Sequence, residues 1–240
     1  MRSLNMKISI VIPAYNEQDN IIEVIDKIEN SLHIDYELIV VNDHSTDTTR
    51  EFVQGLFRRY NNIKLVENKL PRGFGNALKT GFNHITSEVV IPIMADLCDD
   101  LSTIQKMLEK IDEGYDVVCG SRYIKRGARQ GGSRLKGLLS YLGGTSIHYL
   151  LGLPTHDIAN SFKMYRKNVI DTIDIESIGF EISMEILLKA YYLGFKITEV
   201  STVWKERTKG KSSFKVFKLL PDYIKLYLWA IFKRFFRKMI

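Results

Sequence analysis

Residues 89–101, VVIPIMADLCDDL, join an unbroken apolar run to a cluster of acids. The first half carries β-branched residues and has the pattern of a strand buried on both faces. Such a strand needs covering layers on either side, which is the arrangement of an α/β sheet. The second half holds Asp96, Asp99 and Asp100 within five residues. Acids at the carboxyl end of a buried strand lie at the sheet edge where ligands bind. Clustered carboxylates repel one another unless a cation sits among them. A hard divalent ion such as Mg²⁺ or Mn²⁺, itself bound to a phosphate-bearing ligand, suits that chemistry. The same acids also suit the start of a helix near Ser102, and both readings stand at this point.

The rest of the chain repeats the alternation. Residues 7–13 read as a central strand, and a turn then leads into a helix over 17–30 with Ile21, Ile22, Ile25 and Ile28 at helical spacing. A second strand covers 36–41, followed by a helix that Ser45 or Asp47 can cap. A short strand at 63–67 precedes the glycine-punctuated RGFGNALKTGFN, 72–83, which turns into a helix. After the acid-tipped strand come a helix over 103–113, a strand over 116–119 and, later, a strand over 196–200. Strands alternating with helices at this spacing mean a mostly parallel sheet with right-handed crossovers.

The chain of 240 residues suffices for one sizeable α/β domain. Its two cysteines, Cys98 and Cys119, make neither a metal-ligand spacing nor a disulfide framework, so a reducing cytoplasm is expected. The +6 formal charge is unevenly placed: residues 205–240 hold eleven Lys/Arg against two acids. A near-neutral body with a basic tail points to a local anionic partner such as a membrane surface, and no nucleic-acid partner is expected. No secretory signal opens the sequence, and no run of about 18 apolar residues exists to span a bilayer.

Polar loops therefore collect at one sheet edge: Pro13, Tyr15, Asn16 and Glu17 after the first strand, Asn42, Asp43, Ser45 and Asp47 after the second, and the acids after the fourth. A nucleotide-type ligand fits across them. Neither G-x-G-x-x-G nor a Walker sequence is present, so a metal must hold the phosphates.

VIPAYNE, VNDHSTDTT, RGFGNALKTGF, GSRY, DIANSFKMYRK, GFEISMEI and WKERTKGKSS resemble, in order, the motifs of glycosyltransferase family 2, and most closely its dolichyl- or polyprenyl-phosphate sugar synthases. The likeness covers nearly the whole chain through residue 213. It implies a Rossmann-like GT-A fold, a nucleoside-diphosphate sugar donor, a divalent metal and inverting transfer. It places Pro13, Tyr15 and Glu17 around the base and ribose, and Asp43 on the base. Asp96 matches the second acid of the family's D-A-D motif, whereas the first is Met94, a poor ligand for a hard ion. Asp99 and Asp100 are the candidates to restore that charge. Met94 itself reads as the last buried residue of the strand. Arg122 matches an arginine near the phosphate. The family's acceptor-phosphate pair falls on Lys136 and Ser140, with Arg134 beside it. Asp157 matches an acidic position that is structural or near the sugar. Asp96, Arg122 and Arg207 are the expected catalytic residues, with Lys211 assisting at the acceptor.

Glu181 and Glu185 stand one helical turn apart, read either as functional acids or as a helix-start acid and a surface acid. His44 and His156 read as hydrogen-bonded loop residues. Residues 1–213 form the expected transferase domain and 214–240 a basic amphipathic helix, bent or broken at Pro221. That helix either lies in the membrane interface or covers the enzyme's own core. The expected protein is a hexosyltransferase acting on a polyprenyl or dolichyl phosphate, peripheral to the cytoplasmic face of a membrane. The alternatives are transfer to a glycan hydroxyl, or a relative that binds nucleotide sugars without catalysis.

Overall fold

The computed structural model describes residues 6–125, 128–207, 209 and 216–237. The chain runs β1 (Ile8–Ala14), α1 (Ile21–Ser31), β2 (Tyr36–Asn42), α2 (Thr49–Gly55), β3 (Ile63–Glu67), α3 (Phe74–Phe82), β4 (Val89–Pro92), α4 (Thr103–Asp112) and β5 (Val117–Ser121). Then follow β6 (Arg129–Gln130), α5 (Arg134–Leu151), β7 (Lys163–Arg166), α6 (Lys167–Thr172), α7 (Ile182–Leu193), β8 (Ile197–Ser201), β9 (Trp204–Lys205) and α8 (Val216–Arg237). Seven strands form one sheet in the order β3-β2-β1-β4-β7-β5-β8, and β6 pairs with β9 apart from it. All sheet pairings are parallel except those of β7, which is antiparallel to β4 and β5.

Alternation along the central strands sorts the core into two layers. Ile8, Ile10, Ile12, Leu38 and Val40 face α1 and α4, whereas Val11, Ile39, Val41 and Val90 face α3 and α7. Fully burying an aliphatic side chain of this size contributes about 1.5–3 kcal/mol, so these strands anchor the fold. The helix α3 lies so close to the sheet that a Cβ on Gly81 would meet Val11 Cγ1 at 2.3 Å. Gly81→Ala would force the two apart at a cost of about 1–3 kcal/mol. Because Ala14 pairs with Asn42, β1 and β2 end level, and Tyr15 and Asp43 emerge side by side.

The structure departs from the sequence expectations in several places. The first helix starts at Ile21 rather than residue 17, because the Glu17 carbonyl accepts the amides of Asn20 and Ile21 in a preceding turn. The fourth strand ends at Pro92, so Met94 is not its last residue but a half-buried loop residue lining a small hollow with Val24, Lys27, Leu97 and Asp99. The antiparallel β7 was not foreseen. Its first residue, Lys163, is fully buried, and a lysine conceals a strand from a hydrophobicity reading. Burial lowers the pKa of this amine, which donates to the carbonyls of Ile158 and Asn160. Glu185 is not a surface acid: it is buried, accepts the amides of Glu176 and Ser177, and pairs with Lys189 at 2.6 Å.

The C-terminal helix continues through Pro221. It docks on α5 and α7: Tyr227 donates to Ser146 Oγ at 3.0 Å, Arg234 to the Leu151 carbonyl, and Tyr192 to the carbonyl of the fully buried Ala230. Its other side leaves Ile224, Leu228, Phe232 and Phe235 exposed. The core-covering reading therefore describes one face of this segment, and the other face is exposed. Among the described residues no helix is long and apolar enough to cross a membrane.

Candidate active site

The loops after β1, β2 and β4 meet at the carboxyl edge of the sheet, and each contains a non-glycine residue with positive φ: Asn16 at 52°, His44 at 63° and Leu97 at 61°. Such conformations cost energy and persist where surrounding contacts hold them. Here the contacts are dense. Asn16 Oδ1 accepts the Thr46 amide at 2.8 Å, Ser45 Oγ accepts the Asn16 amide at 3.1 Å, and His44 Nε2 meets the Leu70 carbonyl at 2.8 Å. Asp47, not Ser45, serves the start of α2, accepting the Thr49 amide at 3.0 Å.

Asp43 is buried beneath this edge. Its carboxylate accepts Asn68 Nδ2 at 2.6 Å and the Gly73 amide at 3.0 Å. Burial raises its pKa, and those two donors oppose the rise. Asn68, which carries no motif signal in the sequence, also accepts Thr80 Oγ1 at 2.9 Å and so ties α3 to Asp43. Tyr15 accepts from Arg72 at 2.6 Å, and Pro13 is half-buried at the end of β1.

Glu17 and Arg207 are 190 residues apart in sequence yet form an ion pair of 2.7 Å, with both side chains largely buried. Burial raises the Glu17 pKa, its bonds to Asn20 and Arg207 oppose this, and the charge of Asp96 adds to the rise. Arg207 and Asp96, from different loops, thus both lie near Glu17. The strand β9 brings Arg207 there: Trp204 bridges to Asp99, and the Lys205 amide donates to the Cys98 carbonyl.

The three acids divide their roles. Asp100 Oδ1 accepts the Ser102 amide at 3.1 Å and its hydroxyl at 2.7 Å, which is the helix-start role. Asp96 Oδ1 accepts the Cys98 amide at 3.1 Å. Asp99 is buried; desolvation and then the charge of Asp96 push its carboxyl up to about 7. Among the described residues no three His, Cys, Asp or Glu side chains converge as a complete metal cage. Two mutually repelling carboxylates, Asp96 and Asp99, nevertheless fit a hard cation whose remaining ligands come from a phosphate-bearing ligand and water.

A second cluster follows β5. Arg122 forms a two-pronged pair with the fully buried Asp157, Nε to Oδ2 at 2.7 Å and Nη2 to Oδ1 at 2.8 Å, and its amide also donates to Asp157. Nη2 reaches Ser140 Oγ on α5 at 3.2 Å. Burial opposes the guanidinium charge, but Asp157 more than offsets this and holds its pKa above the ordinary arginine value. The charge of Arg122 is felt at Asp99, which connects the two clusters. Arg134 is exposed in the first turn of α5, and Lys136 is half-buried behind the N-cap Ser133. Lys211 lies outside the described residues.

Beside both clusters, Glu181 at the start of α7 accepts the Gly179 amide through Oε1, while its buried Oε2 has no hydrogen-bond partner among the described residues. An unpaired buried carboxylate oxygen is costly. The turn leading to it packs on the one that holds Asp43: the Gly75 amide donates to the Ile178 carbonyl, and Phe74 stacks on Phe180. The charges of Glu181 and Arg122 are both felt at Tyr223 of α8. The sequence reading noted Glu181 and Asp157, but only the structure shows which atoms they leave open or engage.

Residues 9–174 match the family described as "Glycosyl transferase family 2". The chain is 33% identical over 232 residues to the dolichol-phosphate mannosyltransferase of Pyrococcus furiosus, covering 93% of this chain and 64% of that protein. It thus spans less than two thirds of that relative. It is 25% identical over 232 residues to the polyprenol monophosphomannose synthase of Mycolicibacterium smegmatis, covering 92% of this chain and 86% of the relative. Among solved structures it resembles glucosyl-3-phosphoglycerate synthase from Mycobacterium tuberculosis in complex with UDP, with TM-score 0.72, 18% identity and coverage of 94% and 80% of the two chains. The same enzyme with Mn²⁺, UDP and glucosyl-3-phosphoglycerate gives TM-score 0.69, 21% identity and coverage of 95% and 80%. These likenesses establish the expected GT-A architecture. The chain belongs to glycosyl transferase family 2, whose members are glycosyltransferases.

Proposed function

We propose that this protein transfers a hexosyl group, with inversion, from a nucleoside-diphosphate sugar to a polyprenyl or dolichyl phosphate at a membrane surface. One observation carries the reading: the Arg122–Asp157 fork, set beside β5, reaches Ser140 on the helix α5, whose outer face is apolar. Leu135, Leu138 and Leu142, at helical spacing, are each 53% exposed. The neighbouring α8 adds its own exposed row of Ile224, Leu228, Phe232 and Phe235. A site for a phosphate beside a greasy surface suits a headgroup whose tail stays in lipid, and the lysines of α8 suit anionic headgroups. The two mannose synthase relatives act on lipids of this kind by name. The expected placement is peripheral, on the cytoplasmic face.

In this reading Pro13, Tyr15, Glu17 and Asp43 surround the base and ribose of the donor. Asp96 and Asp99 would hold Mg²⁺ or Mn²⁺; the M. tuberculosis structural relative was solved with Mn²⁺ or Mg²⁺. The ion supplies a Lewis acid at the diphosphate. Arg207, which like Asp96 lies near Glu17, exchanges Glu17 for the leaving diphosphate and neutralises charge that grows as the sugar–phosphate bond breaks. Arg122 and Ser140, with Arg134, Lys136 and Lys211, orient the acceptor phosphate. A phosphate is already ionised at neutral pH, so attack on the anomeric carbon needs no general base. The protein positions two anions and screens their repulsion.

The open Oε2 of Glu181 favours a second reading, transfer to a glycan hydroxyl with Glu181 as base. Incubating the protein and Mn²⁺ with labelled sugar nucleotides, and either membrane lipid extract or soluble glycans, separates the two. The lipid reading expects an acid-labile glycolipid and less than tenfold loss in Glu181→Gln. Glycan product alone, with Glu181→Gln slower by about 10²-fold or more, would overturn it.

A further inference from the structure

We propose that Glu199, remote from the reacting groups, is the positioning residue that aims Arg122 and α5 at the acceptor phosphate. The proposal rests on the reading of Arg122 and Ser140 as the phosphate site. Glu199 stands on β8, next to the strand that delivers Arg122. Its two carboxylate oxygens serve three donors. Oε2 accepts Thr155 Oγ1 at 3.0 Å and the His156 amide at 2.8 Å, and Oε1 meets His156 Nδ1 at 2.6 Å. From there two routes lead to the site.

The first route runs through Thr155. Its hydroxyl, fully buried, donates to Glu199 and accepts the Asp157 amide at 3.1 Å. Asp157 in turn holds both prongs of Arg122. Donating to Glu199 orients the Thr155 hydroxyl with its lone pairs toward Asp157, so this chain has a direction. The second route runs through His156. Its ring stacks on His148 of α5 with centroids 4.0 Å apart. Its carbonyl lies so near α5 that a Cβ on Gly144 would meet it at 2.2 Å. Ser140 is one helical turn before Gly144, and Arg122 closes the circuit by donating to it.

Arg122 and Ser140 are thus set against each other by two arms that meet at one carboxylate. Neither Glu199 nor Thr155 hydrogen-bonds to Arg122 itself. Their effect is geometric, and small displacements of a positioned group cost catalysis steeply, on the order of 10²-fold for about 1 Å. Among the described residues the Glu199 carboxylate bonds to Thr155 and His156 and to none of the donor loops after β1, β2 and β4, so the effect falls on one substrate only.

Steady-state kinetics on the full chain, with nucleoside-diphosphate sugar and a short-chain polyprenyl phosphate varied in turn, test this. Glu199→Leu removes all three acceptor contacts, and Thr155→Val cuts only the first route while keeping shape and burial. Both are expected to lower kcat/KM for the lipid phosphate by about 10–100-fold and to leave the donor KM within about twofold. Thr155→Ser keeps the hydroxyl and is expected to restore near-normal acceptor kinetics. Glu37→Leu is the control for lost stability. Glu37 is a carboxylate on β2, far across the sheet from β8, buried more fully than Glu199 and bonded to Ser9, Lys64 and Thr86. Should Thr155→Val and Glu199→Leu lower Tm as Glu37→Leu does without altering acceptor kinetics, or impair donor and acceptor equally, the positioning role is overturned. Normal acceptor kinetics in Arg122→Ala would instead overturn the phosphate reading on which it rests.

Discussion

The proposed donor edge and the proposed acceptor edge of this site are built differently. Loops at the donor edge each follow a strand, and they lock one another through short contacts among Asn16, Ser45, Thr46, Asp47 and Thr49. Three residues are held at positive φ there without glycine. The acceptor edge is gathered from distant segments: Arg122 from β5, Ser140 from α5, Asp157 from the loop before β7, and Glu199 from β8. Its outer boundary is a pair of helices with apolar faces open to the surroundings. A donor of fixed shape suits a cradle assembled before it binds. A lipid phosphate needs only a few well-aimed groups at the rim of a surface that accepts its tail. Arg207 joins the donor edge from the C-terminal half, pairing with Glu17 of the first loop.

Four measurements test this division. The largest effect is expected from Asp96→Ala, which removes a carboxylate that no acceptor-edge residue replaces. Turnover should fall by about 10³-fold, and Mn²⁺-dependent nucleotide binding should vanish in calorimetry. Near-normal turnover would move the metal away from this loop. Next, Arg207→Ala should lower kcat by roughly 10²-fold while affinity for anionic vesicles stays constant. The reverse pattern, weaker vesicle binding with normal kcat at saturating lipid, would assign Arg207 to the membrane.

The third test concerns the apolar surface alone. The pair Leu228→Ser and Phe232→Ser changes exposed side chains of α8, so Tm should hold within a few degrees while vesicle affinity falls about tenfold or more. Unchanged sedimentation with vesicles would show that this row does not meet lipid. The smallest effect lies outside both edges. Glu37 is partly desolvated, yet its bonds with Lys64, Ser9 and Thr86 bring its carboxyl down to about 2. A depressed carboxyl stabilises the fold above its unfolded pKa near 4.5, and that contribution is lost as pH falls from about 4.5 toward 2. Glu37→Gln should therefore flatten the acid limb of a stability-versus-pH curve by roughly 3 kcal/mol without altering transfer at pH 7. An unchanged acid limb would assign that limb to other groups.

The central strands were legible because each is short, apolar and bounded by turn residues. The loops that follow them were legible because the chain order of a parallel sheet sends them to one edge. Asp43, Glu17 and Asp96 fell within that edge on this basis, and the family resemblance singled them out from their loop neighbours. The antiparallel β7 was not legible, since its buried Lys163 reads as a surface residue until carbonyls are found to receive its amine. The division of labour among Asp96, Asp99 and Asp100 was equally hidden. Spacing gives the number of carboxylates in a turn but not which one bonds Ser102, which one is buried and which one stays open.

The sequence by itself determined the layered α/β architecture, the loops that gather at the carboxyl edge of the sheet and the amphipathic character of the C-terminal helix, because periodicity and loop chemistry are local properties. Tertiary structure alone decided that Asp157 grips Arg122, that Arg207 reaches Glu17 across 190 positions, and that Glu181 keeps one buried oxygen open. It also decided which face of α8 covers the core. Each of these depends on distances between segments far apart in the chain. Such distances follow from how the layers pack, which no local pattern of residues contains.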